Sequence, residues 1–109
     1  MWFPTKEKIE REIDILLTRF ERVAKRAEVS IAESNKFASV LGPNEIAETM
    51  HRNTLKIIEN LHGAGAQARF GLRPLRTIAN DLPGVAAVAS QYASLLDNME
   101  MMRREGAKA

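Results

Sequence analysis

Apolar residues recur along the first third of the chain at helical spacing. Ile9, Ile13, Leu16, Phe20, Val23 and Ala27 are separated by 4, 3, 4, 3 and 4 positions. On a helix this alternation puts all six in one stripe, the repeat of a packed helical seam. Thr5, after Pro4, is the expected N-cap. Beyond Ala27 the apolar positions continue less regularly through Ile31, Phe37, Ala38 and Leu41. The pattern therefore predicts a helix over about residues 5–41, roughly 50 Å long at 1.5 Å per residue.

Gly42-Pro43-Asn44 is the clearest break. Glycine closes a helix in the left-handed conformation, and proline is tolerated in the first turn of the next. A second helix is expected over about 44–68, with Glu45 and Glu48 at its positive end and Ile46, Met50, Ile57, Ile58 and Leu61 facing inward. Gly63 and Gly65 each cost about 1 kcal/mol relative to alanine in a helix interior. Either the helix ends there or the small residues permit a close crossing, and both readings stay open. Gly71 and Pro74 mark the next break, followed by a short helix over about 74–82 that Pro83-Gly84 ends. Val85, Val88, Tyr92, Leu95, Met99 and Met102 then repeat at 3, 4, 3, 4 and 3 positions, predicting a fourth helix over about 85–104 with Arg103 and Arg104 near its negative end.

These elements make an all-α fold: a helical hairpin, 5–41 against 44–68, closed into a bundle of three to four helices within one domain spanning 1–109. An unbroken first helix is longer than its neighbours can cover. The remaining stripe implies self-association, as a dimer, through the seam residues Ile9, Ile13, Leu16, Phe20 and Val23 and the C-terminal seam Val85, Val88, Tyr92, Leu95, Met99 and Met102.

Composition narrows the chemistry. The absence of cysteine excludes disulfides, a thiolate nucleophile and Cys-ligated metal, and suits the cytoplasm. No apolar run is long enough for a membrane span, and the start Met-Trp-Phe-Pro lacks a signal-peptide pattern. Trp2 and Phe3 read as apolar groups that fold back onto the bundle. The net charge of +2 is too small to argue for nucleic acid alone. From Asn60 to Asn80, however, there is no acid, while Arg69, Arg73 and Arg76 fall there. With Arg52 and Lys56 they are the candidate contacts for an anion or nucleic acid.

Residues 46–61 resemble a degenerate helix-turn-helix, an Ile-Ala-Glu helix followed by Arg52-Asn53-Thr54-Leu55, although only His51 stands where a turn of three or four residues belongs. Glu48 with His51 and Glu59 with His62 form two Glu-x-x-His pairs, an i,i+3 spacing that offers two ligands to a metal. They stand eleven residues apart on one predicted helix, roughly 16 Å, so they cannot share a centre within a chain. Ordinary surface charges are the favoured reading, and no metal or cofactor is assigned. His51 with Lys56 is a poor phosphate-accepting site, and no phosphate loop or nucleophile elbow occurs. The layout also resembles that of phasins, helical coat proteins of storage-polymer granules. A long amphipathic helix, the Pro43-Asn44-Glu45-Ile46 turn and a second amphipathic helix carry this over residues 13–62, leaving Gly71, Pro74 and Pro83 outside the pattern.

The expected function is therefore non-enzymatic: an interaction or assembly protein working through coiled-coil-like packing with itself or another helical protein. A nucleic-acid-binding protein and a metal-binding helical oligomer are the alternatives.

Overall fold

A computed structural model describes residues 5–36, 45–70 and 75–108, and nearly all of them are helical. Three helices follow one another: α1 (Lys6–Lys36), α2 (Glu45–Phe70) and α3 (Leu75–Lys108). Thr5 caps α1 as expected. The Lys8 N–H donates to Thr5 Oγ1 at 3.2 Å, satisfying a donor that a helix start leaves orphaned, and the Thr5 carbonyl accepts the first bond of the helix from the Ile9 N–H at 3.0 Å.

The stripe on α1 is the core of the molecule. Ile9, Ile13, Leu16, Phe20, Val23 and Ala27 are all buried, and Ser30 continues the alternation one step further, also buried. The Ser30 hydroxyl reaches the Met99 sulfur at 3.9 Å. Both other helices lie on α1 and touch each other far less. Arg19 meets Ser90, Arg26 meets Asp97 and Ser30 meets Met99, so α1 and α3 advance together and run parallel. Glu28 faces His51 while Ile13 lies beside Gly65, so α2 runs antiparallel to both. The result is an up-down-up arrangement with extents of 55 × 23 × 15 Å.

On α2 the buried positions are Ala47, Met50, Thr54, Leu61 and Ala68. Ile57 and Ile58 pack at the core's edge, but Ile46 is 62% exposed, contrary to the inward placement its side chain suggested. The helix turns Ala47 toward α1 and Ile46 sits one position around the wheel. Thr54 is fully buried at no polar cost, since its hydroxyl donates to the Met50 carbonyl at 2.7 Å.

α2 runs unbroken through Gly63 and Gly65. A Cβ on Gly65 would stand 3.8 Å from Ile13 Cγ2, an ordinary contact, and one on Gly63 would meet nothing within 4 Å.

The largest correction is at the C-terminal third. The expected short helix over 74–82 and fourth helix over 85–104 are one helix, with Pro83 inside it. Proline removes the bond its N–H would make to the Ala79 carbonyl. Ile78 and Leu82 before the proline and Ala89 and Leu96 after it are all buried, so packing on both sides holds the helix to one line. At its other end the expected first helix extended to Leu41; α1 is described to Lys36, and residues 37–41 lie outside the described residues. Among the described residues no helix is long and apolar enough to cross a membrane.

Two stability outcomes follow. Phe20→Ala empties the centre of the α1 stripe and should lower unfolding free energy by about 3–5 kcal/mol, read as a fall in the urea midpoint. Gly63→Ala, which adds a methyl group to open space in a helix interior, should raise it by about 1 kcal/mol. A loss at Gly63 would show that the glycine answers to a contact outside this fold.

Candidate interaction surface

The two sides of α1 are finished differently. Toward α3, polar side chains bridge the helices: Arg19 Nη2 donates to Ser90 Oγ at 3.0 Å, and Arg26 Nη2 lies 2.6 Å from Asp97 Oδ1 and 3.5 Å from Glu100 Oε2. These pairs are exposed enough that each contributes at most about 1 kcal/mol. Their effect is to fix the register of a parallel pair. Toward α2, His51 Nε2 stands 3.2 Å from Glu28 Oε1.

Between α2 and α3 there is no such closure along the length. A cavity of about 630 Å³ opens there, with Ile57, Leu61, Ala64, Ile78, Leu82 and Val85 as its apolar lining and Glu59, Asn60, Gln67 and Asp81 as its polar one. The Gln67 Oε1 atom is buried without a hydrogen-bond partner. Nearer the other end of the bundle a second opening of about 390 Å³ is lined by Ile46, Met50, Tyr92 and Leu95 with Glu45, Thr49 and Asn53. A hydrogen bond crosses this cleft from Asn53 Nδ2 to Tyr92 Oη at 3.3 Å.

The walls of the cleft differ in kind. Asn53, Asn60 and Gln67 stand at seven-residue spacing on α2 and give it a ladder of amides. α3 answers with Val85, Val88, Tyr92 and Leu95, and from Leu82 through Leu96 it carries no Asp, Glu, Lys, Arg or His at all. Neither feature was extracted from the sequence, although both are visible in it as a heptad of amides and a run without charge. Large apolar groups remain in water along this side: Ile46, Leu95 at 43% exposure and Met102 at 68%, with Met101 nearby on α3. Leu55, Ile15 and Val29 are exposed singly elsewhere.

The sequence-expected seams therefore divide. Ile9, Ile13, Leu16, Phe20 and Val23 lie inside the chain's own core. Of the C-terminal seam, Val85, Val88, Tyr92 and Met99 are half-buried at the edge of that core, while Leu95 and Met102 face solvent.

The basic candidates do not converge. Arg52 and Lys56 are exposed on α2, with Arg52 Nη2 bound to the neighbouring Thr49 hydroxyl at 3.3 Å, and Arg76 is exposed on α3. Arg73 and the side chain of Arg69 lie outside the described residues. The resemblance of 46–61 to a helix-turn-helix does not extend to its geometry: the segment is uninterrupted helix, as the expected second helix over 44–68 has it, with Thr54 and Leu61 buried, so no second helix is set off to enter a groove. Both Glu-x-x-His pairs sit on that same helix, and among the described residues no three His, Asp or Glu side chains gather to hold a metal ion.

Compared with known proteins, the chain matches no family model, no curated protein and no solved structure, so the likeness of its layout to phasins assigns nothing.

The unpartnered Gln67 oxygen gives the cleft a measurable signature. Gln67→Met keeps the volume and removes the buried acceptor, and should stabilise the fold by about 1 kcal/mol in urea unfolding. An unchanged midpoint would mean that water already reaches the amide.

Proposed function

We propose that this chain is a non-enzymatic assembly protein that packs helices with further copies of itself through its α2–α3 side. The observation that carries the reading is the unequal closure of the bundle. α1 is covered by two helices, whereas α2 and α3 lean on α1 and leave between them a cleft flanked by solvent-exposed Ile46, Leu95 and Met102.

Single exposed apolar residues are ordinary on protein surfaces, but a cluster beside an open cleft is the usual mark of a contact surface. Depletion of charge, with methionine and an aromatic ring at its centre, is the compositional signature of an interface core. Residues 82–96 with Tyr92, Met99 and Met102 have that composition.

The test is solution mass by light scattering over a range of concentrations. The assembly reading expects a mass above the 12.2 kDa of one chain. It also expects Leu95→Glu with Met102→Glu to return the mass to that of one chain while the helical circular dichroism is kept. A wild-type mass of one chain throughout overturns it. Glutamate at Leu16 or Val23 would be a poor probe, because both residues are buried within the chain and the charge would report on folding instead.

A further inference from the structure

We infer that copies of this chain join head to tail, the outward stripe of α1 in one copy seated in the α2–α3 cleft of the next, with its cations against the carboxylates of Glu45, Glu59 and Asp81. The inference rests on the assembly reading above and adds the second face of the contact, the charges that select it and open-ended growth.

The cleft is apolar and negative. Glu59 and Asp81 border its larger opening and Glu45 its smaller one, and among the described residues no Lys, Arg or His lines either. Arg52 and Lys56, between the two glutamates on α2, line neither opening. An occupant that suits such a cleft presents apolar groups and cations on one face and no acid.

This chain owns that face. Two residues on from each core position between Ile9 and Ala27 stand Arg11, Ile15, Thr18, Arg22, Lys25 and Val29. Two residues turn a helix by about 200°, so this second stripe keeps the 4-3 spacing on the side of α1 opposite the core. All six are exposed, Ile15 and Val29 to 54% each, and none is acidic. Among the described residues no ion pair within the chain engages Arg11, Arg22 or Lys25. Asp14, Glu21 and Glu28 form a separate row at seven-residue spacing, on the α2 side where Glu28 meets His51. Thr18 can be covered without orphaning its hydroxyl, because Oγ1 already donates to the Asp14 carbonyl at 3.0 Å.

The two charge patterns agree in length. Arg11 and Lys25 are fourteen residues apart on α1, as are Glu45 and Glu59 on α2, roughly 21 Å in each helix. The area agrees with two contacts per chain. A compact monomer of this mass exposes roughly 6,000 Å² and this chain 7596 Å², an excess of about 1,500 Å². Each partner in a contact of standard size gives up roughly 800 Å², so the excess is that of two faces. Because the stripe and the cleft lie on opposite sides of the bundle, one pair of copies cannot engage both. Each contact therefore leaves an open stripe at one end and an open cleft at the other, and growth continues.

Complementary charge reversal at four exposed residues tests the pairing. One variant reverses the stripe, Arg22→Glu with Lys25→Glu. The other reverses the cleft, Glu45→Lys with Glu59→Lys, and Glu59→Lys alone guards against fraying at the α2 N-terminus. Solution mass is measured by light scattering over a range of concentrations for the wild type, each variant and an equimolar mixture of the two double variants, with circular dichroism alongside. The wild type is expected to climb past two chains. Each double variant alone should stay at the 12.2 kDa of one chain with its helical signal kept, and the mixture should regain two chains or more. A wild-type mass that stops at two chains overturns head-to-tail growth. A wild-type mass above one chain that neither reversal lowers, or single-chain variants whose mixture stays at one chain, overturns the pairing of these faces and leaves assembly standing. A wild-type mass of one chain, which leaves the cleft to a basic helix of another protein, overturns both.

Discussion

Everything in this fold depends on the stripe of α1 being covered from two directions at once. Ile9, Ile13, Leu16, Phe20, Val23, Ala27 and Ser30 follow a strict 4-3 alternation, and all are buried. A helix of this length does not hold its shape in water by propensity alone; packing of its apolar face does that work. α2 and α3 are each attached to the molecule mainly through α1, so the contact between them is secondary and can be left open. That ordering explains both the flatness of the bundle and the cleft on its far side.

The core of α1 was legible because every determinant of it is local. The apolar spacing gives the helix, Thr5 gives its start, and the alternation names the buried face. What was misread is what depends on neighbours. Ser30 and Thr54 are buried polar residues, invisible to an apolar template, and they fit because one reaches the Met99 sulfur and the other its own helix backbone. Ile46 looks like a core residue by type, yet Ala47, in register with buried Met50, Thr54 and Leu61, takes the inward position. Pro83-Gly84 has the local chemistry of a helix end, and the tertiary packing of Ile78, Leu82, Ala89 and Leu96 overrides it.

The candidate site was only partly legible for a related reason. The repeat through Val85, Val88, Tyr92, Leu95, Met99 and Met102 reads as one seam, but α3 carries two interleaved stripes. Ile78, Leu82, Ala89 and Leu96 face α1, and the cleft side is set off from them around the helix. A six-residue repeat drawn across both merges half-buried and exposed positions. Separating them requires the register of α3 on α1, which Arg19–Ser90 and Arg26–Asp97 supply and which no spacing within α3 contains.

The distribution of polar groups around α3 gives that register a further consequence. Its α1-facing side is tied by Ser90, which Arg19 reaches, and by Asp97 and Glu100, which Arg26 reaches, while between Leu82 and Leu96 it carries no charge. Charged residues on a solvated helix keep it from adhering to other chains, and a helix exposed over much of its surface would ordinarily carry them on every outward face. Between Leu82 and Leu96 α3 carries none, and the carboxylates that border the cleft are Asp81 on α3 and Glu45 and Glu59 on α2. Water is a poor solvent for Val88, Leu95 and Met102 together, and α2 lines the cleft with the neutral amide ladder of Asn53, Asn60 and Gln67 and with the carboxylates of Glu45 and Glu59. Neutral amides add directional hydrogen bonds without fixing the sign of a partner's charge. A cleft built this way selects by shape and by hydrogen bonding, and the carboxylates of Glu45, Glu59 and Asp81 along its length add a negative sign to that selection.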